Sequence, residues 1–366
     1  MFATLPALLV VVAPLAQGAA SRPAAWAEAE ALERDGDLPA AARKVESLLA
    51  GRPDDVPLLV RAGLLRARSD APDAAEAHLS RAVALAPKDV EAWLALGEAR
   101  FRAQRQRASL EAFERALALG DADGRASNGI GSARYSLGEI DAAREAFARA
   151  AERNPRLVAP QHYLGRIALD AGRFGEAATR FRKCLELDPL DGDSHFRLGL
   201  ALRGQGDADG AIEAFRAAIR VDPLQLGARQ SLGQTLRAVG REEEGRAELE
   251  AHGKVVRGKQ RLTLATESLK LHPSSGPNRV AVGEALLELG LPREALVHFR
   301  EVLRSKKAPA SAWLAAARAY AEIGDAAQRD EHARRALELA PYDPAIVAAA
   351  RALLAGSPAS RPGPGR

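Results

Sequence analysis

Residues 158–191 read VAPQHYLGRIALDAGRFGEAATRFRKCLELDPLD, and residues 192–225 read GDSHFRLGLALRGQGDADGAIEAFRAAIRVDPLQ. Laid one over the other, these 34-residue stretches match Leu164 with Leu198, Gly165 with Gly199, Gly172 with Gly206, Ala177 with Ala211, Phe181 with Phe215, and Asp188-Pro189 with Asp222-Pro223. Apolar residues recur at three and four spacing, as in Leu164, Ile167 and Ala168, then Ala177, Phe181, Cys184 and Leu185, so each stretch predicts two amphipathic helices. Gly172 and Gly206 fall between the two runs, where glycine can take the positive φ that ends a helix. The Asp-Pro pair disfavours helix before the proline and presets the start of the next one.

The same frame extends in both directions. Pro53, Pro87, Pro155, Pro189 and Pro223 are spaced by 34 or twice 34, and Asp121 holds the skipped place. Counting units from residue 22, the eighth place holds Ala29, then Gly63, Gly97, Gly131, Gly165, Gly199 and Gly233. The twenty-fourth place reads Val45, Leu79, Phe113, Phe147, Phe181, Phe215 and Leu249. Small residues such as Ala143, Ala177 and Ala211 recur where the paired helices must approach closely. Together Trp93, Leu96, Gly97, Phe113 and Ala116, and again Trp313, Tyr320, Ala336 and Pro341, resemble the tetratricopeptide-repeat family. That resemblance implies an all-α, right-handed superhelical solenoid whose first helices line a concave face. The units are 22–55, 56–89, 90–123, 124–157, 158–191, 192–225, 226–259, 276–309 and 310–343, with a capping helix over 345–355.

The rhythm breaks once. In unit 226–259, Gly245 and His252 replace the expected alanines and Arg257 stands where proline belongs, leaving 260–275 as an irregular helical insert. Leu262, Ala265, Leu269 and Leu271 before Pro273 keep helical spacing, which predicts an extra or lengthened helix.

Composition narrows the function classes. Aromatics are only 4% of a chain that is 47% hydrophobic, as suits helices packed through small side chains rather than a β fold. With 52 basic against 48 acidic residues, interspersed, nothing marks a nucleic-acid binder. Leu5 to Ala16 is apolar and is followed by Gly18, Ala19 and Ala20, the pattern of a signal peptide over 1–20, so a periplasmic or secreted location is expected; a cytoplasmic one follows if the segment is not a signal peptide. Residues 356–366, rich in Gly, Pro and Ser, predict disorder. No membrane span is expected in the mature chain.

Chemistry-bearing patterns are few. The seven histidines are scattered without metal-ligand spacing, and no cofactor or metal is expected. His195 takes the fourth place in its unit, where Trp93 and Trp313 sit, and reads as a packing residue; Cys184 takes the place of Ala150 and Ala218 and reads as a small buried contact. Gly129-Ile-Gly131 looks like the start of a dinucleotide fingerprint but lacks the preceding strand and the third glycine. The expectation is a non-enzymatic scaffold that binds a protein or peptide.

If the resemblance holds, the second, fifth, ninth, twelfth and thirteenth places of each unit face the groove. The middle units supply Asn128, Ser132 and Tyr135, then His162 and Arg166, then Phe196 and Arg203, then Gln230, Gln234 and Arg237. Amides and hydroxyls suit a bound backbone, aromatics suit apolar side chains, and arginines suit carboxylates. Some family members clamp a chain terminus with lysine, asparagines and arginine; here only Arg197 agrees in type and place, so that clamp is not expected. A second candidate surface is the basic cluster Lys254, Arg257, Lys259 and Arg261. Alternatives are self-association into an envelope structure or service as an accessory subunit of a separate enzyme such as a glycosyltransferase.

Overall fold

The structure is a computed structural model describing residues 24–355; the leader and tail expectations fall on 1–20 and 356–366, outside the described residues. Among the described residues there are nineteen helices, which form nine consecutive pairs and a last single helix, and no strand. They divide into two compact units, 1–214 and 215–366.

The first unit contains α1 (Ala24–Arg34), α2 (Leu38–Leu49), α3 (Val56–Arg68), α4 (Pro72–Leu85), α5 (Val90–Arg102), α6 (Gln106–Leu119), α7 (Arg125–Ser136), α8 (Ile140–Arg153), α9 (Val158–Asp170), α10 (Phe174–Leu187), α11 (Gly192–Gly204) and the start of α12 (Ala208–Val221). Each pair is joined by a tight turn with a residue at positive φ. Gly36, Gly138, Gly172 and Gly206 serve there, but Asp70 (φ 53°) and Gln104 (φ 58°) take the same conformation in the second and third pairs. All six turns close with the same long bond, such as Arg173 N–H to the Ala168 carbonyl (2.8 Å) and Arg105 N–H to that of Arg100 (2.8 Å). The turn geometry is therefore set by the hydrogen bonds, and glycine only lowers its cost.

The two strongest sequence landmarks prove to be one contact. A Cβ on Gly63 would lie 2.4 Å from Leu79, on Gly97 2.7 Å from Phe113, on Gly131 2.6 Å from Phe147, and on Gly165 2.9 Å from Phe181. Each eighth-place glycine thus leaves the space that the twenty-fourth-place side chain of its own pair fills. Leu79, Phe147 and Phe181 are fully buried there. First helices of successive pairs also touch, α3 with α5, α5 with α7, α7 with α9 and α9 with α11, whereas second helices make no comparable contact with one another. Within this unit the stack accordingly curves with its first helices inside.

The fourth place of a unit is more than a packing position. His195 Nε2 donates to the Pro189 carbonyl (3.0 Å) just as Trp93 Nε1 donates to that of Pro87 (3.0 Å). In the second unit Arg229 and Arg279 do the same for Pro223 (3.3 Å) and Pro273 (2.8 Å). The side chain six residues after the proline ties down a carbonyl that the turn leaves unpaired.

The second unit holds the rest of α12, α13 (Leu226–Ala238), α14 (Glu242–Leu271), α15 (Gly276–Glu288), α16 (Pro292–Leu303), α17 (Ala310–Glu322), α18 (Ala326–Leu339) and α19 (Pro344–Ala355). The residues set apart as 260–275 do not start a new element: α14 runs unbroken for 30 residues across the 259/260 boundary. Arg257, unlike proline, keeps its backbone N–H for the helix ladder, so nothing stops the helix there. The replaced alanines have local reasons. A Cβ on Gly245 would lie 2.7 Å from the Gly233 carbonyl, so α13 and α14 cross almost backbone to backbone, and His252 Nδ1 lies 3.2 Å from the Leu226 carbonyl. Leu262, Ala265 and Leu269 of the extension pack against the core of Val280, Val282 and Leu286. At the far end α19 lays Ile346, Ala350 and Leu353 over Leu314, Ala333 and Ala336. No helix among the described residues is long and apolar enough to cross a membrane.

Candidate functional site

The inner face of α7 and α9 concentrates the polar groups that the fold leaves unmatched. Asn128, Ser132 and Tyr135 lie one turn apart on α7, and His162 and Arg166 one turn apart on α9. Asn128, Ser132 and His162 are not a solvated helix face: they are 5%, 1% and 4% exposed. Yet Asn128 Oδ1, Ser132 Oγ, His162 Nδ1 and Arg166 Nε are all buried without a hydrogen-bond partner among the described residues. Buried polar atoms left unmatched cost roughly 1–3 kcal/mol each, so four on one face is a feature with an energetic cost.

Their surroundings fix them. Burial works to raise the Asp193 carboxyl, but the hydrogen bond from His162 and the Arg197 guanidinium outweigh it and hold the group at about 2. His162 Nε2 donates to Asp193 Oδ2 (2.7 Å), and in the neutral imidazole Nδ1 is then an acceptor. Arg197 Nε donates to the same oxygen (2.6 Å), so the one residue that matched the family's terminal clamp is already occupied. Arg166 sits with its guanidinium carbon 5.1 Å from the Tyr135 ring centre and 5.5 Å from that of Tyr163. Tyr163 in turn stacks on Phe147 at 4.6 Å with the rings 4° from parallel.

One pair earlier the same face holds Glu98, 4% exposed, which the sequence reading did not single out. Its Oε1 accepts from Arg102 Nε at 3.1 Å. Burial pushes the carboxyl above the usual glutamate range, although Arg102, Arg68 and Arg125 pull the other way. Periodicity could have flagged it, since Glu98, Ser132 and Arg166 share the ninth place of three successive units. The folded state holds this proton more tightly than the unfolded chain does, so for this group stability is greatest below the ordinary value of 4.5 and falls as pH rises through the folded pKa. Glu98→Gln should therefore gain stability relative to the parent as pH is taken from about 4 to about 7.5. Paired thermal melts at both pH values check this, and a margin that shrinks with pH would contradict the assignment.

The remaining predicted residues lie on α11 and α13. Phe196 is half-buried and Arg203 exposed, both on α11. Gln230, Gln234 and Arg237 are exposed on α13 in the second unit, where Arg237 Nε donates to Glu242 Oε1 (2.9 Å). The basic cluster on α14 is likewise dispersed: Lys259 Nζ donates to the Leu224 carbonyl (2.7 Å) and Arg261 pairs with Glu288. Cys184 is fully buried and burial pushes its thiol up to about 12, which removes it as a nucleophile.

Models of the tetratricopeptide repeat match residues 59–124, 103–157, 164–228, 197–252 and 310–343. These segments cover more than half of the chain. It belongs to the tetratricopeptide-repeat family. The stretch 253–309 that the repeat models pass over holds most of the lengthened α14 together with α15 and α16. Solved structures with a similar fold include the crystal structure of YrrB, described as a TPR protein with an unusual peptide-binding site, which is 20% identical over 51% of this chain and 96% of that chain with a TM-score of 0.42. The crystal structure of MamA protein is 22% identical over 46% and 92%, with a TM-score of 0.41. A MamA RS-1 double mutant is 18% identical over 46% and 96%, with a TM-score of 0.44. No curated protein matches the chain in sequence.

Proposed function

We propose that the first unit is a non-enzymatic interaction scaffold that takes an extended polypeptide segment along the α7–α9 face. Membership of the tetratricopeptide-repeat family supports a protein–protein interaction scaffold. The observation that carries the finer reading is the order of the unmatched atoms. The fifth places of two successive units offer acceptors, Asn128 Oδ1 and, in the neutral imidazole, His162 Nδ1, and the ninth places offer donors, the Ser132 hydroxyl and Arg166 Nε. A polypeptide backbone in extended form presents N–H and C=O groups to such a pair of rows.

The reading predicts that stability and binding move in opposite directions. Ser132→Ala removes a buried hydroxyl that has no partner in the free protein, so it should leave the fold as stable or stabilise it by up to about 1 kcal/mol. The same change should weaken by about fivefold the binding of an extended 12-residue peptide selected on the full chain from a random display library, as one neutral hydrogen bond is lost. Urea melts and fluorescence anisotropy on the two proteins measure both. If Ser132→Ala destabilises the fold and leaves binding unchanged, the hydroxyl is structural and the assignment of this face is wrong.

A further inference from the structure

Resting on that reading, we infer that Arg166 is a receptor for a carboxylate presented by the bound segment. Three observations converge on it. First, among the described residues no carboxylate pairs with Arg166, although on the same face Arg68 pairs with Glu33 (2.5 Å), Arg102 with Glu98 (3.1 Å) and Arg125 with Glu91 and Asp123, and Arg197 beside that face pairs with Asp193 (2.6 Å). Even Asp170, one turn further along α9 and exposed, is not engaged with it.

Second, the guanidinium is already immobilised. The Tyr135 ring, on α7, and the Tyr163 ring, on α9, hold it by their faces, and Tyr163 is itself fixed by the stacked Phe147 ring in the core. Much of the side-chain entropy that an arginine surrenders on gripping a ligand is thus lost in advance, which is the condition for a strong and selective contact. Ring faces satisfy the charge of a guanidinium but none of its N–H groups.

Third, the N–H groups lack acceptors where acceptors are needed. Nε is buried and unbonded, and the Ser132 hydroxyl, at the same place of the preceding unit, is also buried and unbonded. A carboxylate is the protein group that supplies two acceptor oxygens in the plane of a guanidinium fork. A backbone carbonyl offers only one. The bound segment therefore carries an acidic side chain or a chain-terminal carboxyl at the point where it passes α9, and the neighbouring Asn128 and His162 acceptors hold its backbone.

The test uses the full chain and three pools of nine-residue peptides, randomised apart from the centre: amide-capped with a central Glu, amide-capped with a central Gln, and Gln-centred with a free carboxyl end. Retention of each pool on immobilised protein is compared for the parent, Arg166→Gln and Arg166→Lys. The expected result is at least about tenfold greater retention of the Glu-centred pool than of its capped Gln counterpart, a preference lost in Arg166→Gln and cut several-fold in Arg166→Lys, which keeps the charge without the fork. The same preference for the free-ended pool assigns the carboxylate to a chain terminus and upholds the inference. Equal retention of all three pools, unchanged in both variants, overturns the carboxylate while leaving the groove reading intact. Retention of no pool overturns both. Circular dichroism of each variant shows that it is folded, and if Arg166→Gln does not fold the Lys variant carries the comparison.

Discussion

Phe147→Ala is expected to destabilise the first unit by about 3–5 kcal/mol, the range for deleting a buried aromatic ring whose surroundings close only in part. Phe147 is fully buried, fills the space left by Gly131, and stacks on Tyr163. These neighbours can close the cavity only in part, because Gly131 has no side chain to move and Tyr163 is also held by Arg166. In a stack where each pair rests only on its neighbours, the loss falls on the pairs carrying α7 to α10 rather than evenly along the chain. The urea midpoint should shift accordingly, and far-UV circular dichroism follows it. A loss below about 1 kcal/mol would mean that the stacked rings contribute little beyond filling space.

The same substitution reaches the binding face. Phe147 supports Tyr163, and Tyr163 supports Arg166, so a core ring on the second helix of one unit positions a guanidinium on the first helix of the next. The milder Phe147→Leu should keep the fold, at a cost of roughly 1–2 kcal/mol, while reducing the preference for acidic peptides. Loss of stability and loss of preference would then have one cause, the freedom regained by Tyr163.

How much of this was open to a reader of the sequence depends on which interactions keep the repeat period. Gly131 and Phe147 stand at fixed places of every unit, so their contact could be anticipated from spacing alone, and so could the shared face of Asn128, Ser132, His162 and Arg166. What spacing does not encode is whether a polar side chain finds its partner. His162 is half-satisfied by Asp193, 31 residues later, whereas Arg166 passes over the aspartate one turn away. Such choices depend on rotamers and on burial, which vary from unit to unit while the backbone repeats. The same limit hid the burial of Glu98, since a glutamate in a groove position reads as solvated unless the three surrounding arginines are placed. At residue 257 the sequence signalled the missing proline, and only the packing of Leu262, Ala265 and Leu269 shows that the helix continues because α15 and α16 need a surface to rest on.

Gly129→Val is expected to cost about 3 kcal/mol, near the upper end for forcing extra carbon into a filled core. A Cβ at Gly129 would lie 2.5 Å from Cδ1 and Cε1 of Phe113, and a Cβ at Gly97, on the neighbouring first helix, would lie 2.7 Å from the same two atoms. One ring edge is thus wedged between two glycine backbones, and it can escape a new side chain on either helix only by leaving the crevice altogether. Valine also forgoes part of the gain in helix propensity that replacing glycine would otherwise bring. The decisive measurement is a double-mutant cycle. Phe113→Ala empties the crevice and is itself costly, but in that background Gly129→Val places its methyl groups where the ring had been, so the double variant should be more stable than the two single losses predict by about 2 kcal/mol or more. Additive losses would show that Gly129 is required for something other than the ring. The outcome bears on function as well as packing, because Gly129-Ile-Gly131 is the one stretch of the chain that resembles a nucleotide-binding loop. Strong coupling to Phe113 accounts for the first of these glycines, Phe147 accounts for the second, and no glycine is then left over to approach a phosphate.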